Sequence, residues 1–355
     1  MSKKPARKKR SSSRSKRRVT KKTQARKRKM KNALTLSVLF FVSTIFLSGF
    51  LAYKKLTQEF TSAFSVSSRS LLSDELFTSA FLVVDDFDTD PVLVREISLY
   101  VFDKSTLKTI IYEIPTDVVV DVPGRFGEEP FSHVLALGNL NDQDLDASSE
   151  LLSDSIFKLL AFPVDRYMLV ERSGEEFVRS VFEGKFRFSN EEELWRLKSS
   201  IKTNHTMTEL YDIYRFSNSL PQDRVLKRQI GEIYLESPSL IDEELMDLTF
   251  DSLLSREKKN VSVLNGSGKT GVASFGARVI KNLGGRVVAV SNTKETHEES
   301  IIITDDLTAE SMRILAQIFG IERVILYSEA RNFPESEISR SDITIIFGID
   351  FAESL

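Results

Sequence analysis

The chain of 355 residues contains no cysteine. That absence excludes disulfide bonds and thiol catalysis, so any exported part must be held together by buried apolar surface. Histidine is scarce as well: His133, His205 and His297 stand far apart, without metal-ligand spacing, and give no basis for a zinc site. Carboxylates are missing from the first 58 positions, whereas residues 1–32 hold 17 Lys and Arg. No aromatic side chain interleaves with those cations, so stacking on single-stranded nucleic acid is not favoured. A further absence argues against a nucleotide site. Gly268-Lys269-Thr270 follows a strand pattern as the end of a P-loop does, but the position of that motif's first glycine is Val263.

What the N-terminal region does hold is an uncharged apolar run, Ala33 to Tyr53, directly behind the basic tail. Its 21 residues match the roughly 20 that a helix needs to cross a bilayer's hydrocarbon core. A cleavable signal has an apolar core of about 7–15 residues and then small residues, whereas Tyr53, Lys54 and Lys55 follow here. The run therefore reads as an uncleaved anchor. Removing the 17 tail cations from the total of 49 leaves 32 against 51 carboxylates, so residues 54–355 carry about −19. Basic flanks stay in the cytoplasm, which predicts a single-pass membrane protein with its N-terminus inside and its large acidic part outside. The tail itself cannot bury a core and is expected to be disordered; beside a bilayer its cations suit anionic lipid headgroups.

The remaining chain is long enough for two domains. Residues 54–75 read as a Ser/Thr-rich juxtamembrane stalk. Ala80–Val84, then alternating Ile97, Leu99, Val101 and Ile110, Tyr112, Ile114, read as strands, and the apolar spacing of Leu151–Ala161 reads as a helix that stops before Pro163. Thr206 with Glu209 forms a capping-box pattern ahead of Leu210 and Ile213. The charged stretch 241–260 reads as a linker. After it come the strand Val261–Leu264, a turn Asn265-Gly266-Ser267-Gly268, a helix with the stripe Val272, Phe275, Val279, Ile280 and Leu283, and further strands at 286–290, 301–303, 324–327 and 343–347. Asp306 is placed to cap the helix carrying Met312, Leu315 and Phe319. This order predicts an α/β (α+β) ectodomain: a mixed-sheet domain over 76–240, then a small ferredoxin-like split-βαβ domain over 261–355.

Val261-Ser-Val-Leu-Asn-Gly-Ser-Gly268, Gly271-Val-Ala273, Gly284-Gly285 and Asp342-Ile-Thr-Ile-Ile-Phe-Gly-Ile-Asp350 resemble the LytR C-terminal domain of bacterial envelope proteins. That domain commonly follows a LytR-CpsA-Psr domain, which moves anionic glycopolymers from a polyprenyl-pyrophosphate carrier onto peptidoglycan. The middle region resembles that family too. The segments are Ile97-Ser-Leu-Tyr-Val-Phe-Asp103, Glu113-Ile-Pro-Thr-Asp117 with Val122-Pro-Gly124, His133-Val-Leu-Ala-Leu-Gly138, and Leu151–Val170 with Phe162-Pro-Val-Asp165.

The departures fall where phosphate chemistry belongs. The resemblance implies arginine clamps and a metal-binding aspartate around a lipid pyrophosphate. Thr116 stands at the arginine position before Asp117, and Arg95-Glu96 replaces the expected aspartate. Arg228-Gln229 imitates the family's Arg-Gln pair, but Asn204 to Arg228 fits a downstream segment better, so the arginine-rich helix is missing. The chain is therefore read as a non-catalytic, membrane-anchored envelope protein that binds or organises wall polymer or other envelope proteins. The alternative is a divergent glycopolymer transferase, with Arg95, Arg125 or Arg166 in replacement positions. The candidate catalytic residues are Asp85, Asp117 and Arg95; the candidate binding loop is Asn265, Gly266 and Gly268. No metal or cofactor is expected, Mg²⁺ entering only with the transferase alternative.

Overall fold

In this computed structural model the residues described are 76–124, 126–142, 145–186, 199–231, 237–248 and 253–355, with 41, 43, 44, 47–51, 53–55 and 57. The chain divides into two units, residues 1–58 and 59–355. In the first, the described positions are helical, and Phe41, Leu47, Phe50, Leu51 and Tyr53 are all more than half exposed. Among the described residues no helix is long and apolar enough to cross a membrane. Most of the expected span 33–53, all of the tail 1–32 and most of the stalk lie outside the described residues.

The second unit is built on two sheets. The first has six strands in the order β7-β6-β1-β2-β3-β8: β1 (Leu76–Val84), β2 (Val94–Asp103), β3 (Lys108–Ile114), β6 (Arg166–Glu171), β7 (Ile201–Thr203) and β8 (Val225–Gln229). A short hairpin, β4 (Val119–Val122) with β5 (Gly127–Pro130), lies apart from it. Strands β1, β2 and β3 are antiparallel, and β6 and β8 add in parallel on either side. β1 is buried along nearly all its length because its side chains feed two cores alternately. Ala80, Leu82 and Val84 join one cluster, and Phe81 and Val83 the other. A strand covered on both faces reads as a continuous apolar run, which is how 80–84 appears in the sequence.

Helices α1 (Val134–Asp142) and α2 (Leu145–Leu160) contribute Val134, Leu135, Ile156 and Phe157 to the first core. On the opposite face, α3 (Glu175–Phe182) and α4 (Met207–Ser219) contribute Val178, Phe182 and Ile213. The start of α4 follows the predicted capping box. Thr206 Oγ1 accepts from the Glu209 amide at 3.2 Å, and Glu209 Oε2 accepts from the Thr206 amide at 2.8 Å.

The segment expected as a linker overlaps α5 (Pro238–Leu248) and contains α6 (Leu253–Glu257), with Ile241, Leu245 and Leu254 buried. Beyond it the second sheet has five strands, β9 (Asn260–Asn265), β10 (Arg286–Asn292), β11 (Ile301–Thr304), β12 (Arg323–Leu326) and β13 (Ile343–Phe347), in the order β10-β9-β13-β11-β12. Helices α7 (Val272–Asn282), α8 (Glu310–Phe319) and α9 (Ile349–Glu353) complete it.

The ferredoxin-like expectation fails on pairing. A split βαβ unit leaves room for a strand between its two parallel strands, yet β9 is hydrogen-bonded directly to β10, and β11 directly to β12. The fifth strand explains this. All five residues of β13 are buried, so it belongs at the centre, where it runs parallel to β9 and antiparallel to β11. The expected cap of α8 also differs. Asp306 closes its own turn through the Thr308 amide and hydroxyl, while the Glu257 carboxylate of α6 accepts from the amides of Glu310 and Ser311 at 3.1 and 2.9 Å.

The two sheets share one apolar core, in which Phe157 of α2 meets Phe275 of α7 edge to face at 5.4 Å. A polar joint reinforces it. Helix α2 ends in carbonyls that have no intrahelical donor, and these are satisfied from the second sheet's helix. Arg278 Nη2 donates to Leu159 O at 3.1 Å, and Asn282 Nδ2 to Leu160 O and Ala161 O at 3.2 and 3.3 Å. Asp242 of α5 bridges both donors, Arg278 Nε at 2.8 Å and Asn282 Nδ2 at 2.9 Å.

Candidate functional site: an apolar cavity flanked by ion pairs

Helices α3 and α4 diverge over β6 and β7 and leave a cavity of about 160 Å³. Its walls are Met168, Phe177, Val178, Val181, Phe182, Phe186, Ile201, Met207, Leu210, Tyr211 and Tyr214. Phe182 belongs also to an aromatic layer beneath, packed edge to face on Tyr100 at 5.0 Å and on His205 at 5.9 Å. Tyr211, which is 58% exposed, marks the mouth. Such a lining favours a hydrocarbon or aromatic guest and offers little to a sugar or phosphate.

Most of the polar groups around this layer are fixed by one another, while the Tyr100 hydroxyl and His205 Nδ1 are buried without a hydrogen-bond partner. His205 is fully buried, and its Nε2 lies 2.8 Å from Ser79 Oγ. Burial pushes the imidazole down to about 3, with Arg166 lowering it further and Glu209 opposing. Burial likewise raises the Tyr100 hydroxyl above its ordinary range. Arg166 grips Glu209 with two nitrogens, Nε at 3.0 Å and Nη2 at 2.6 Å. Burial of the Glu209 carboxyl would raise its pKa, but the hydrogen bonds from Arg166 and the Thr206 amide outweigh that and hold it below the usual range. Arg179 bridges Glu96 at 2.9 Å and Glu175 at 3.1 Å. Glu183, buried just past α3, is held by Lys227 at 2.8 Å and by Lys185.

The predicted catalytic residues lie elsewhere, and only two of the three, Asp85 and Arg95, are brought together. Asp85, at the end of β1, receives Arg95 Nε at 2.7 Å and faces Arg172 at 3.7 Å. Asp117 sits in the exposed turn after β3 and takes no part in that cluster. Among the described residues no group of three or more His, Asp or Glu is arranged to hold a metal ion. With its two oxygens facing guanidinium groups, Asp85 does not fit a Mg²⁺ ligand. Arg125 lies outside the described residues.

In the Asn265–Gly268 loop, Asn265 Oδ1 accepts from the Ser267 amide and hydroxyl, while its Nδ2 donates to Lys269 O. Gly266 lies where a Cβ would meet His297 Cδ2 at 2.8 Å, and Gly268 has φ +74°. The Asn265 side chain is occupied by its own turn, and the backbone of Asn265 and Gly266 is bonded to Thr293, His297 and Phe347. Motif residues outside the predicted site prove to be internal pins. Asp165 Oδ2 accepts from the Thr78 amide and hydroxyl at 2.8 and 2.9 Å, and Asn204 Oδ1 accepts from the Tyr167 amide at 2.8 Å. The cavity itself is missed by sequence reading, because its walls come from four elements whose apolar residues look like ordinary core.

The family described as the LytR cell envelope-related transcriptional attenuator matches residues 259–351. That segment therefore belongs to the LytR C-terminal family, and the five-stranded sheet is its domain in this chain. Solved structures are also similar to about half of the chain, each with a TM-score below 0.5. Bacillus subtilis TagT matches 54% of this chain and 98% of its own, at 14% identity and a TM-score of 0.34. Bacillus subtilis TagV matches 48% of this chain and 98% of its own, at 12% identity and a TM-score of 0.35. A LytR-CPS2A-psr family protein, YwtF (TagT), solved with octaprenyl pyrophosphate lipid, matches 52% and 97%, at 14% identity and a TM-score of 0.35. Among curated proteins none matches the chain.

Proposed function

We propose that the chain is a non-catalytic envelope protein, held at the membrane by residues 33–53 with its basic tail inside. Its acidic part outside binds or organises wall polymer or other envelope proteins. The observation that carries this reading is the commitment of four arginines in the six-stranded sheet domain to carboxylates of the same chain. Arg95 and Arg172 face Asp85, Arg166 is held by Glu209, and Arg179 by Glu96 and Glu175. A pyrophosphate would have to break those pairs before it gained a clamp, and each missing oxyanion donor costs a transferase about 3–4 kcal/mol of transition-state stabilisation. With about −19 charges, the exported part repels teichoic-type polyanions unless cations bridge them, so a protein or an uncharged polymer segment is the better partner.

One observation favours a second reading, a divergent transferase on a polyprenyl-pyrophosphate-linked substrate: the apolar cavity has a lining suited to an isoprenoid chain. Full-length protein in lipid nanodiscs, incubated with a lipid-pyrophosphate-linked glycan analogue and Mg²⁺, separates the two. Retention of the lipid without turnover agrees with the first reading. Turnover that disappears in Arg95→Ala or Asp117→Ala establishes the second.

A further inference from the structure

Strands β1 and β2 pair so that Leu76 lies opposite Asp103, and β2 and β3 so that Asp103 lies opposite Lys108. The loop between β2 and β3, residues 104–107, therefore projects past the end of the sheet at which the chain enters from residues 54–75. Its last residue is Leu107, with φ +53°. A Cβ disfavours that left-handed conformation, which glycine or asparagine adopts at lower cost. Leu107 is also 57% exposed, although Phe102 and Thr109 beside it are buried. Ala161 and Lys258 share the left-handed φ among the described residues, but Ala161 is buried and Lys258 is charged. Of the three, Leu107 is the one that offers apolar surface to solvent, and the domain itself gains from neither property. The charge around the loop is positive on its outside. Asp103 turns back into the loop, where Oδ1 accepts from the Ser105 amide and hydroxyl at 3.0 and 2.7 Å and from the Thr106 amide at 3.0 Å. Lys104 is exposed and Lys108 half-buried, and among the described residues no carboxylate is salt-bridged to either.

We propose that this tip touches the bilayer: Leu107 enters the headgroup region of the outer leaflet, and Lys104 and Lys108 meet anionic lipid there. The inference rests on the reading of residues 33–53 as the anchor. One leucine and two lysines bind a membrane weakly. The acidic exterior as a whole is repelled by anionic lipid, but salt confines that repulsion to about 8 Å. The tether decides the balance. A contact made by a chain that is already anchored is intramolecular, at an effective concentration of about a millimolar. Tip and tether share one end of β1, so the contact does not require the tether to run the length of the sheet. It keeps the opposite turn, residues 85–93, about 30 Å from the headgroups, the length of the nine residues of β1.

The absence of cysteine makes the test direct, because a single introduced thiol carries a single fluorophore. Full-length Leu107→Cys, labelled and placed in nanodiscs of phosphatidylglycerol bearing nitroxides on headgroup and acyl chain, is expected to lose most of its emission. The loss should shrink when phosphatidylcholine replaces the anionic lipid. A label at Thr89→Cys, exposed in the opposite turn, is expected to keep its emission. A second pair of variants reads the native leucine. A label at Lys104→Cys is expected to be quenched, and adding Leu107→Gly should relieve that quenching without lowering Tm, since glycine accepts the left-handed φ. Ser43→Cys, labelled inside the expected span, separates this inference from the anchor reading. Quenching at 43 but not at 107 overturns the inference and leaves the anchor standing, whereas quenching at neither overturns both. Equal quenching at 107 and 89, equal quenching in the two lipids, or unchanged quenching with Leu107→Gly also overturns it. A label at 107 that is shielded in native membranes but not in nanodiscs assigns the tip to a protein partner and overturns it too.

Discussion

Asp242 and Arg278 meet through two contacts, Nε to Oδ1 at 2.9 Å and to Oδ2 at 2.8 Å, and this pair joins the two sheets. Both side chains are largely buried, 17% and 22% exposed, and the same arginine satisfies the end of α2 through Leu159. Removing the carboxylate leaves a cation and a helix end without their bridge. Asp242→Ala is therefore expected to lower stability by about 3 kcal/mol. Both sheets should still melt in one transition, because the apolar core remains common to them. Calorimetry checks both points; two separated transitions would show that the pair, rather than the core, couples the sheets.

His205 supplies a pH dependence with a defined sign. Its folded pKa, about 3, lies below the ordinary value of 6.5, so between those limits the unfolded chain binds a proton that the folded chain refuses. This contribution is fully present above about pH 6.5 and is lost progressively as pH falls toward 3. In His205→Leu the slope of unfolding free energy against pH over that window should flatten. At pH 7 the variant should lose about 1 kcal/mol with the Ser79 hydrogen bond. Urea titrations at several pH values measure both effects.

Gly276 sits in α7 where an added Cβ would lie 2.1 Å from Phe347 Cε2. The ring cannot withdraw easily, since it also stacks on Phe351 at 4.3 Å and meets Phe319 at 4.9 Å. Gly276→Ala is expected to cost about 1–3 kcal/mol by overpacking, although alanine is the better helix former. Pairing it with Phe347→Leu should recover some of that loss. A double-mutant cycle on Tm gives the coupling.

Helix α8 depends on a cap from outside its own sequence. Glu257→Ala removes the acceptor of the Glu310 and Ser311 amides and should cost about 1 kcal/mol, while Asp306→Ala should affect only the local turn. Amide exchange at Glu310 and Ser311 distinguishes the two variants.

The cavity makes its own prediction. Leu210→Trp places a larger ring in the space of about 160 Å³ and should displace a bound fluorescent isoprenoid alcohol without lowering Tm by more than a few degrees. Equilibrium titration of the probe tests this. Unchanged binding would place the hydrocarbon site elsewhere.

Much of this architecture can be read from the sequence where one residue's neighbours are local. The capping box at Thr206, the strand at 80–84 and the stripe of α7 all follow from spacing within a single element. What escapes is set by distant partners. Nothing near Glu310 announces that Glu257 caps it, and nothing around Ile343 says that this strand lies between the β9-β10 and β11-β12 pairs. Asp85 and Arg95 look like chemistry in the sequence because the family resemblance expects phosphate- and metal-binding charge in that region. Their mutual pairing becomes visible only when β1 and β2 lie side by side. The cavity is invisible there for a related reason: an apolar residue lining a space has the same letter as one filling it.

The donors that complete α2 have an implication for how the chain acquires its shape during synthesis. Leu159 and Leu160 emerge well over a hundred positions before the Arg278 and Asn282 that satisfy them. Strand β8, which closes one edge of the first sheet, follows β3 by a similar distance. A nascent chain therefore carries an unfinished first sheet, with its α2 end and its face toward α7 uncovered, until nearly the whole polypeptide is available. Assembly on that route is late and concerted, and premature release would leave sticky surface exposed to whatever holds unfolded chains.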